Sequence, residues 1–535
     1  MAPKKRKYPV GIQSFESIRQ DGYVYVDKTP LIYKMITEGK PYFLSRPRRF
    51  GKSLLVSTLA AVFEGRRDLF EAFTTKRGIE QPQLFIATTD WEWEKHPVIR
   101  FDFSKDLLDI GQLDNLIDSM LSDHEERYGI TPNKPDPSLR MDKLVREAHR
   151  LTGRRVVVLV DEYDKQMLNS IGDEEMAEAV RIRFKNLFSP LKDLDEHLQF
   201  IFITGISKFS QMGVFSTINQ LKNISMVMDY DCICGISEEE LVTQLRPDIE
   251  QLAVRRGETY DETLAELKRM YDGYHFSRLK TDIYNPFSLT KAFDFGEIGK
   301  YWFDSATPSA LISMLRQMPP LDLKDLECVM CEADAFDEAF DSFQASLPVL
   351  YQSGYLTIKD YDIEDDIYTL GFPNKEVRTG FAGSLYRLVT NTTSGNSERN
   401  AMMLAYKKFR RTDDLPAFID AIKTFFASVP YQWEKDNKNE HYYHALLYTL
   451  LTAFGADIRA EEPTAKGSTD ITLLMPKGIY VMELKYDRGA QEALDQVNAK
   501  GYADKYRLDG RPVTKVGVAF SSKERNITDF LVQEV

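Results

Sequence analysis

Short apolar runs alternate with amphipathic stretches through the first 230 residues. Residues 42–45, 97–103, 156–160 and 200–204 read as strands, each a brief run rich in aliphatic or aromatic side chains. Helical patterns follow at 54–64, across a long polar region after residue 103, and at 174–191. Alternation of this kind predicts a parallel sheet covered by helices. From about residue 237 to 380 the pattern turns mostly helical and acidic, with short aromatic strand candidates such as 355–358. Residues 390–400, rich in Thr, Ser and Asn, read as a linker. The last stretch predicts a helix (439–454), three strands (456–461, 469–475, 479–486), a second helix (490–506) and a strand (515–520). Three segments are therefore expected, 1–235, 236–390 and 391–535, with no internal repeat.

A chain of 535 residues suits two to four domains and excludes a lone binding module. With 43% apolar residues it can fill several ordinary cores. Its longest apolar run, 401–406, falls far short of the roughly 18 residues that cross a bilayer, and no apolar stretch follows the basic N-terminus. Four cysteines in so long a chain argue against a disulfide framework, so no membrane association and a cytoplasmic location are expected. The formal charge of −13 does not favour non-specific attraction to nucleic acid. It sits almost wholly in the first 380 residues, because residues 381–535 carry 21 basic and 20 acidic side chains. Any nucleic-acid contact is thus expected in the last third.

Arg46-Pro-Arg-Arg-Phe-Gly-Lys-Ser53 lies between an apolar strand and an amphipathic helix, the setting a phosphate-binding loop needs. Backbone N–H groups from Arg48, Arg49, Phe50, Gly51, Lys52, Ser53 and Leu54 would cradle phosphate oxygens, with Lys52 neutralising the β and γ phosphates and the Ser53 hydroxyl on Mg²⁺. The usual pattern opens on Gly, and Arg46 stands in its place. The run 155–160 is a strand leading into Asp161 and Glu162, so Asp161 is expected to hold Mg²⁺ and Glu162 to act as the base for the attacking water. Thr204 and Ser207 end a further strand where a γ-phosphate sensor would sit. Arg181 and Arg183 follow on a helix, and neither can be chosen as a trans-acting arginine. The expected ligand is ATP.

Lys7-Tyr-Pro-Val-Gly-Ile-Gln13, Tyr23-Val-Tyr-Val-Asp-Lys-Thr29, Phe43-Leu-Ser-Arg-Pro-Arg-Arg-Phe-Gly-Lys-Ser53, Val160-Asp-Glu-Tyr-Asp-Lys165, Tyr271-Asp-Gly-Tyr-His-Phe-Ser277 and Tyr284-Asn-Pro-Phe-Ser288 together resemble the bacterial AAA-ATPase-like family. The resemblance runs over nearly the whole chain, and the Arg-rich loop opening is similar to that family's own version. It implies an ATPase domain joined to a C-terminal nuclease-like domain of the PD-(D/E)XK superfamily.

The residues of the last segment carry a compatible chemistry of their own. Along the strand 479–486 side chains alternate, so Val481, Glu483 and Lys485 share one face. Asp470 on the adjoining strand and Glu440 on the preceding helix could join Glu483 to gather three carboxylates around Mg²⁺ or Mn²⁺. Lys485 would then orient a water or the scissile phosphate. Asp470, Glu483 and Lys485 resemble the Asp-x(n)-Glu-x-Lys pattern of that superfamily, and Gln496 on the next helix could touch the site. Lys466 and Arg488 are candidates for a basic patch.

Other features carry less. Pro3-Lys-Lys-Arg-Lys7 is basic enough for a nuclear-targeting signal, but a flexible basic end explains it more simply. Cys232 with Cys234 and Cys328 with Cys331 have ligand-like spacing, yet nothing nearby completes a zinc set. His275 suits a packing or turn role in its aromatic setting, and His441 and His444 flank the helix that starts at Glu440. The expected fold class is α/β: a P-loop NTPase sheet with flanking helices, a mostly helical middle, and a C-terminal restriction-endonuclease-like domain. The expected function is an ATP-binding, ATP-hydrolysing protein whose nucleotide state is coupled to a metal-dependent nuclease. A nucleotide switch whose C-terminal domain binds nucleic acid or protein without cutting is the alternative, and a homo-oligomer stays open.

Overall fold

The computed structural model describes residues 6–131, 135–170, 173–207, 221–303, 323–332, 346–389, 397–428, 440–464 and 466–535. By compactness the chain divides into two units, Met1–Met318 with Val329–Glu376 and Pro319–Cys328 with Val377–Val535. Most of the expected middle segment thus folds with the first sheet, while the expected linker lies partly in the helix Ser397–Thr412 and partly, at 390–396, outside the described residues.

In the first unit, β1 (Pro41–Ser45), β2 (Val98–Asp102), β3 (Val156–Asp161), β4 (Leu198–Gly205) and the two-residue β5 (Lys222–Asn223) form one parallel sheet in the order β2-β3-β4-β1-β5. All strands of a parallel sheet need cover on both faces, which is why β3 is buried at every position. One face packs Val156, Val158, Val160, Ile201 and Ile203 under the helices α2 (Ile110–Tyr128), α3 (Pro137–Thr152) and α4 (Glu174–Phe188). The other receives α1 (Lys52–Phe63), whose Phe63 ring lies 5.1 Å from that of Phe200. Register sets Asp102 beside Asp161 and Ser45 beside Gly205, so the chemistry-bearing residues collect at the carboxyl edge.

The helical part of this unit has its own core, and the N-terminal arm runs through it. Tyr8 and Val24 pack with Leu241, Ile249, Leu267, Tyr284 and Leu289, and the Tyr8 hydroxyl donates to Asp248 at 2.5 Å. Arg6 pairs with the same carboxylate. This explains why residues so distant in sequence fold as one unit.

The second unit is built on β6 (Ile458–Thr464), β7 (Gly467–Leu474), β8 (Ile479–Tyr486), β9 (Val513–Ser521) and β10 (Asn526–Glu534), adjacent in that order. Only β8 and β9 run parallel, because the helix α5 (Ala490–Lys500) connects them by a crossover. Val481 and Ile479 of β8 meet Val497 of α5 in a small apolar cluster. Helix and sheet approach closely at Gly517: an added Cβ would lie 2.3 Å from the Ala490 carbonyl oxygen and 2.6 Å from the Leu494 nitrogen. Both are backbone atoms, so Gly517→Ala must displace the helix. We expect a loss of about 1–3 kcal/mol, read by urea unfolding of the full chain; an unchanged midpoint would show that the contact is slack.

Candidate functional site

The chain turns from β1 into α1 through a loop that is anchored by side chains rather than by glycines. Arg46 is almost fully buried; its guanidinium donates to the carbonyls of Ser45, Ser225 and Tyr230 and lies 4.1 Å from the Phe276 ring centroid. The residue in the place of the usual first glycine therefore holds the loop from behind. Phe50 is buried against Tyr274 and Phe276, Arg49 stacks on Phe287, and the Arg48 carbonyl accepts from the Trp302 indole. Gly51 caps α1 at φ +93°, where a side chain would be strained, and the space beside it is open. The first-turn N–H groups of α1, from Lys52, Ser53 and Leu54, have no acceptor one turn earlier in the helix and favour an anion.

Lys52 is buried, and its Nζ donates to the carbonyls of Arg46 and Pro47 at 2.8 and 2.9 Å. Burial pulls its pKa down, against the nearby charges of Glu162, Asp164 and Asp161. Asp161, 1% exposed, interacts with the Ser53 hydroxyl, while its Oδ1 has no hydrogen-bond partner. Burial pushes this carboxyl up to about 6, and Glu162 and Asp102 add to the rise. Glu162 follows at φ +50°; its carbonyl accepts the Lys165 N–H at 3.1 Å, while its carboxylate makes no hydrogen bond or ion pair among the described residues. Lys52, Ser53, Asp161 and Glu162 are thus brought together. Thr204 is placed differently from a phosphate sensor: its hydroxyl donates to the Leu44 carbonyl at 2.8 Å, tying β4 to β1. Ser207 donates to Asp164, Arg183 pairs with Asp114 and Arg181 with Glu178.

The residues after Glu162 staple the neighbouring strand exits. Asp164, fully buried, accepts from the N–H groups of Ile206 and Ser207. Lys165 reaches the Ser104 carbonyl and Asp106, and Gln166 the carbonyls of Phe103 and Lys105. Asp164 and Asp102 are the residues that sequence reasoning passed over here. Asp102 ends an apolar strand as Asp161 does, so a signal for it existed.

In the second unit Glu483 is 1% exposed on the face that β8 turns to α5. Its Oε1 accepts from Lys485 at 3.0 Å and from Gln496, while its Oε2 is buried without a partner. Burial, then the charge of Asp470, pushes it up to about 7. The β7–β8 ladder ends at Ile471 with Met482, which leaves Asp470 and Glu483 as the next residue on each strand. Asp470 is also raised, chiefly by burial, although its Oδ2 accepts the Leu484 N–H at 2.7 Å. His444, nearly buried, donates Nε2–H to the Asp470 carbonyl at 2.8 Å and so braces β7. Asp470, Glu483, Lys485 and Gln496 converge. The side chains of Glu440 and His441 lie outside the described residues. Glu461, missed in the sequence, falls between the ladder pairs Ala460–Ile471 and Glu462–Thr469 at φ +47° and is paired with Lys324; its charge still raises Asp470. Lys466 is exposed, and Arg488 is paired with Glu492.

A family model described as a predicted AAA-ATPase matches residues 9–215, and the PD-(D/E)XK nuclease superfamily model matches 438–530. An uncharacterized protein from the vnfD 5' region of Azotobacter chroococcum mcd 1 is 34% identical over 542 residues, covering 99% of both chains. The chain belongs to the AAA-ATPase-like family. Its C-terminal unit carries a nuclease-superfamily domain, and no helix among the described residues is long and apolar enough to cross a membrane.

In this AAA-ATPase-like protein His275 is a structural residue. Its Nδ1 meets the Ile358 carbonyl at 2.7 Å and its Nε2 meets Asp282 at 2.8 Å. All four cysteines are free. One pH consequence follows for the metal-free protein. A carboxyl raised from 4.5 to about 7 on folding binds its proton more tightly in the folded state. Its stabilising effect is therefore complete below pH 4.5 and is lost as pH rises towards 7. Unfolding in urea with chelator should show wild type losing stability between pH 5 and 8, with a smaller loss in Glu483→Gln. Parallel pH curves for the two proteins would contradict the assignment.

Proposed function

We propose that the chain binds and hydrolyses Mg²⁺-ATP at the carboxyl edge of the first sheet and cleaves nucleic-acid phosphodiesters at the second-unit site, with nucleotide state governing cleavage. The observation that carries this reading is shared by the two sites. Each holds a buried carboxylate with one oxygen left without a donor, Asp161 Oδ1 and Glu483 Oε2, beside a lysine. Such an oxygen costs free energy unless a cation meets it. The all-oxygen donor sets, Ser53 with Asp161 and Asp470 with Glu483, fit Mg²⁺ or Mn²⁺. When bound, such ions offset phosphate charge and acidify water.

On this reading Lys52 exchanges the Arg46 and Pro47 carbonyls for phosphate oxygens, so that the buried ammonium gains charged acceptors in place of neutral ones. Glu162, whose carboxylate is not engaged by any described residue, accepts the proton of the attacking water. In the second site Lys485 Nζ donates to the developing phosphate charge, and Gln496 holds Glu483 through its Oε1, leaving Oε2 for the cation. Asp470 adds acceptors on the adjoining strand. The engaged Thr204 hydroxyl favours slow turnover over rapid cycling, a second reading in which ATP is held as a switch.

Two variants separate the roles. Glu162→Gln should retain ATP while slowing hydrolysis by about a hundredfold, measured by phosphate release beside a binding titration. Lys485→Ala should keep Mn²⁺ bound yet slow cleavage by about a hundredfold or more. Cleavage is measured on single- and double-stranded DNA and RNA with Mg²⁺ or Mn²⁺, with and without ATP. Wild type that cuts none of these substrates in either nucleotide state would sink the nuclease reading in favour of binding without cleavage.

A further inference from the structure

The helix Tyr260–Tyr271 hands the chain to Asp272, at the head of the motif whose Tyr274 and Phe276 rings pack on Phe50. Asp272 is 2% exposed, and neither of its carboxylate oxygens makes a well-formed hydrogen bond. The Gly273 N–H and the buried Tyr284 hydroxyl approach it without closing one. Among the described residues no other carboxylate has both oxygens buried in this way. Its backbone is fixed by the Asn374 amide, which donates to the Asp272 carbonyl at 2.8 Å.

Glu238 and Asp282 stand around it, one oxygen from each of the three acids lying within 4.8 Å of the others. That spacing suits a cation held by single carboxylate oxygens at roughly 2.1–2.6 Å. The ammonium of Lys268 takes the space, 2.7 Å from Glu238, 3.1 Å from Asp282 and 3.8 Å from Asp272. It bonds the two acids that water reaches and falls short of the buried one. Lys359 turns its Nζ to the Pro373 carbonyl at 3.1 Å, and His275 holds Asp282 from the other side. Lys268 is 46% exposed, so solvent lies beside the ammonium that fills the site.

We propose that Glu238, Asp272 and Asp282 form a site for a hard divalent cation, Ca²⁺, Mg²⁺ or Mn²⁺, distinct from the two phosphate-chemistry sites, with Lys268 as the stand-in cation that metal displaces. Three carboxylates without sulfur or a free imidazole select hard ions. A dication reaches all three acids at once, where the ammonium bonds only two. It also stiffens the turn that presses Tyr274 and Phe276 against the phosphate loop, so the site is placed to tune nucleotide binding from behind.

The test uses the full chain carrying Asp161→Asn and Glu483→Gln, which removes the key carboxylate of each other site, and counts bound Mn²⁺ by electron paramagnetic resonance. One Mn²⁺ per chain should remain and be displaced by excess Ca²⁺ or Mg²⁺. Adding Asp272→Asn should abolish it, with circular dichroism confirming the fold. Lys268→Gln should instead shift the Kd downward, because its competing charge is gone; this variant decides the matter if Asp272→Asn does not fold. No retained Mn²⁺, an unchanged Kd on Asp272→Asn, or weaker binding in Lys268→Gln would overturn the proposal and leave Lys268 as the permanent counter-ion.

Discussion

The buried carboxylate oxygen without a donor is the constraint around which both sites are built. Asp161 and Glu483 are each 1% exposed, and each keeps one oxygen with no partner. Isolated in a protein interior, such a group shifts its pKa until it is neutral, and both carboxyls move that way. Their surroundings stop short of full compensation. Ser53 and Lys52 sit near the first, and Lys485 and Gln496 meet only one oxygen of the second. A framework that leaves a buried acid half satisfied is suited to a cation that arrives with its substrate.

Two unlike sheets reach this arrangement by different means. In the first unit parallel strands bring their carboxyl ends to one edge, and of the six residues from Asp161 to Gln166 the last four tie down the neighbouring strand exits, leaving Asp161 and Glu162 for the proposed chemistry. The second unit brings Asp470 and Glu483 together just beyond the ladder pair Ile471–Met482, where the Asp470 carboxylate accepts the Leu484 N–H and its charge raises Glu483. There the missing side chain of Gly517 lets α5 come close enough for Gln496 to bond Glu483.

Much of this was legible in the chain. The four main strands of the first sheet and the helix after the phosphate loop are strongly patterned, and Glu483 with Lys485 followed from simple alternation along β8. Three things were hidden for physical reasons. Strand β5 has only two residues, too few for any periodicity, and β10 is a half-exposed edge strand whose Asp and Thr residues mask its apolar positions. The role of Arg46 depends on carbonyls of Ser225 and Tyr230, about 180 residues away in sequence. Finally, the N-terminal arm is expected to belong with the segment 1–235, yet Tyr8 fills a core made by helices beyond residue 238. Local pattern finds elements and strand faces; it does not reveal which distant backbone an isolated side chain will satisfy.

The most direct test is the anomalous diffraction of Mn²⁺ in crystals grown with a non-hydrolysable ATP analogue. The account predicts one Mn²⁺ bonded to the Ser53 hydroxyl and reached by Asp161, and another bonded to Asp470 and to Glu483 through the oxygen that now lacks a donor. Crystals that contain the nucleotide and ample Mn²⁺ but show no anomalous peak at either carboxylate would contradict it.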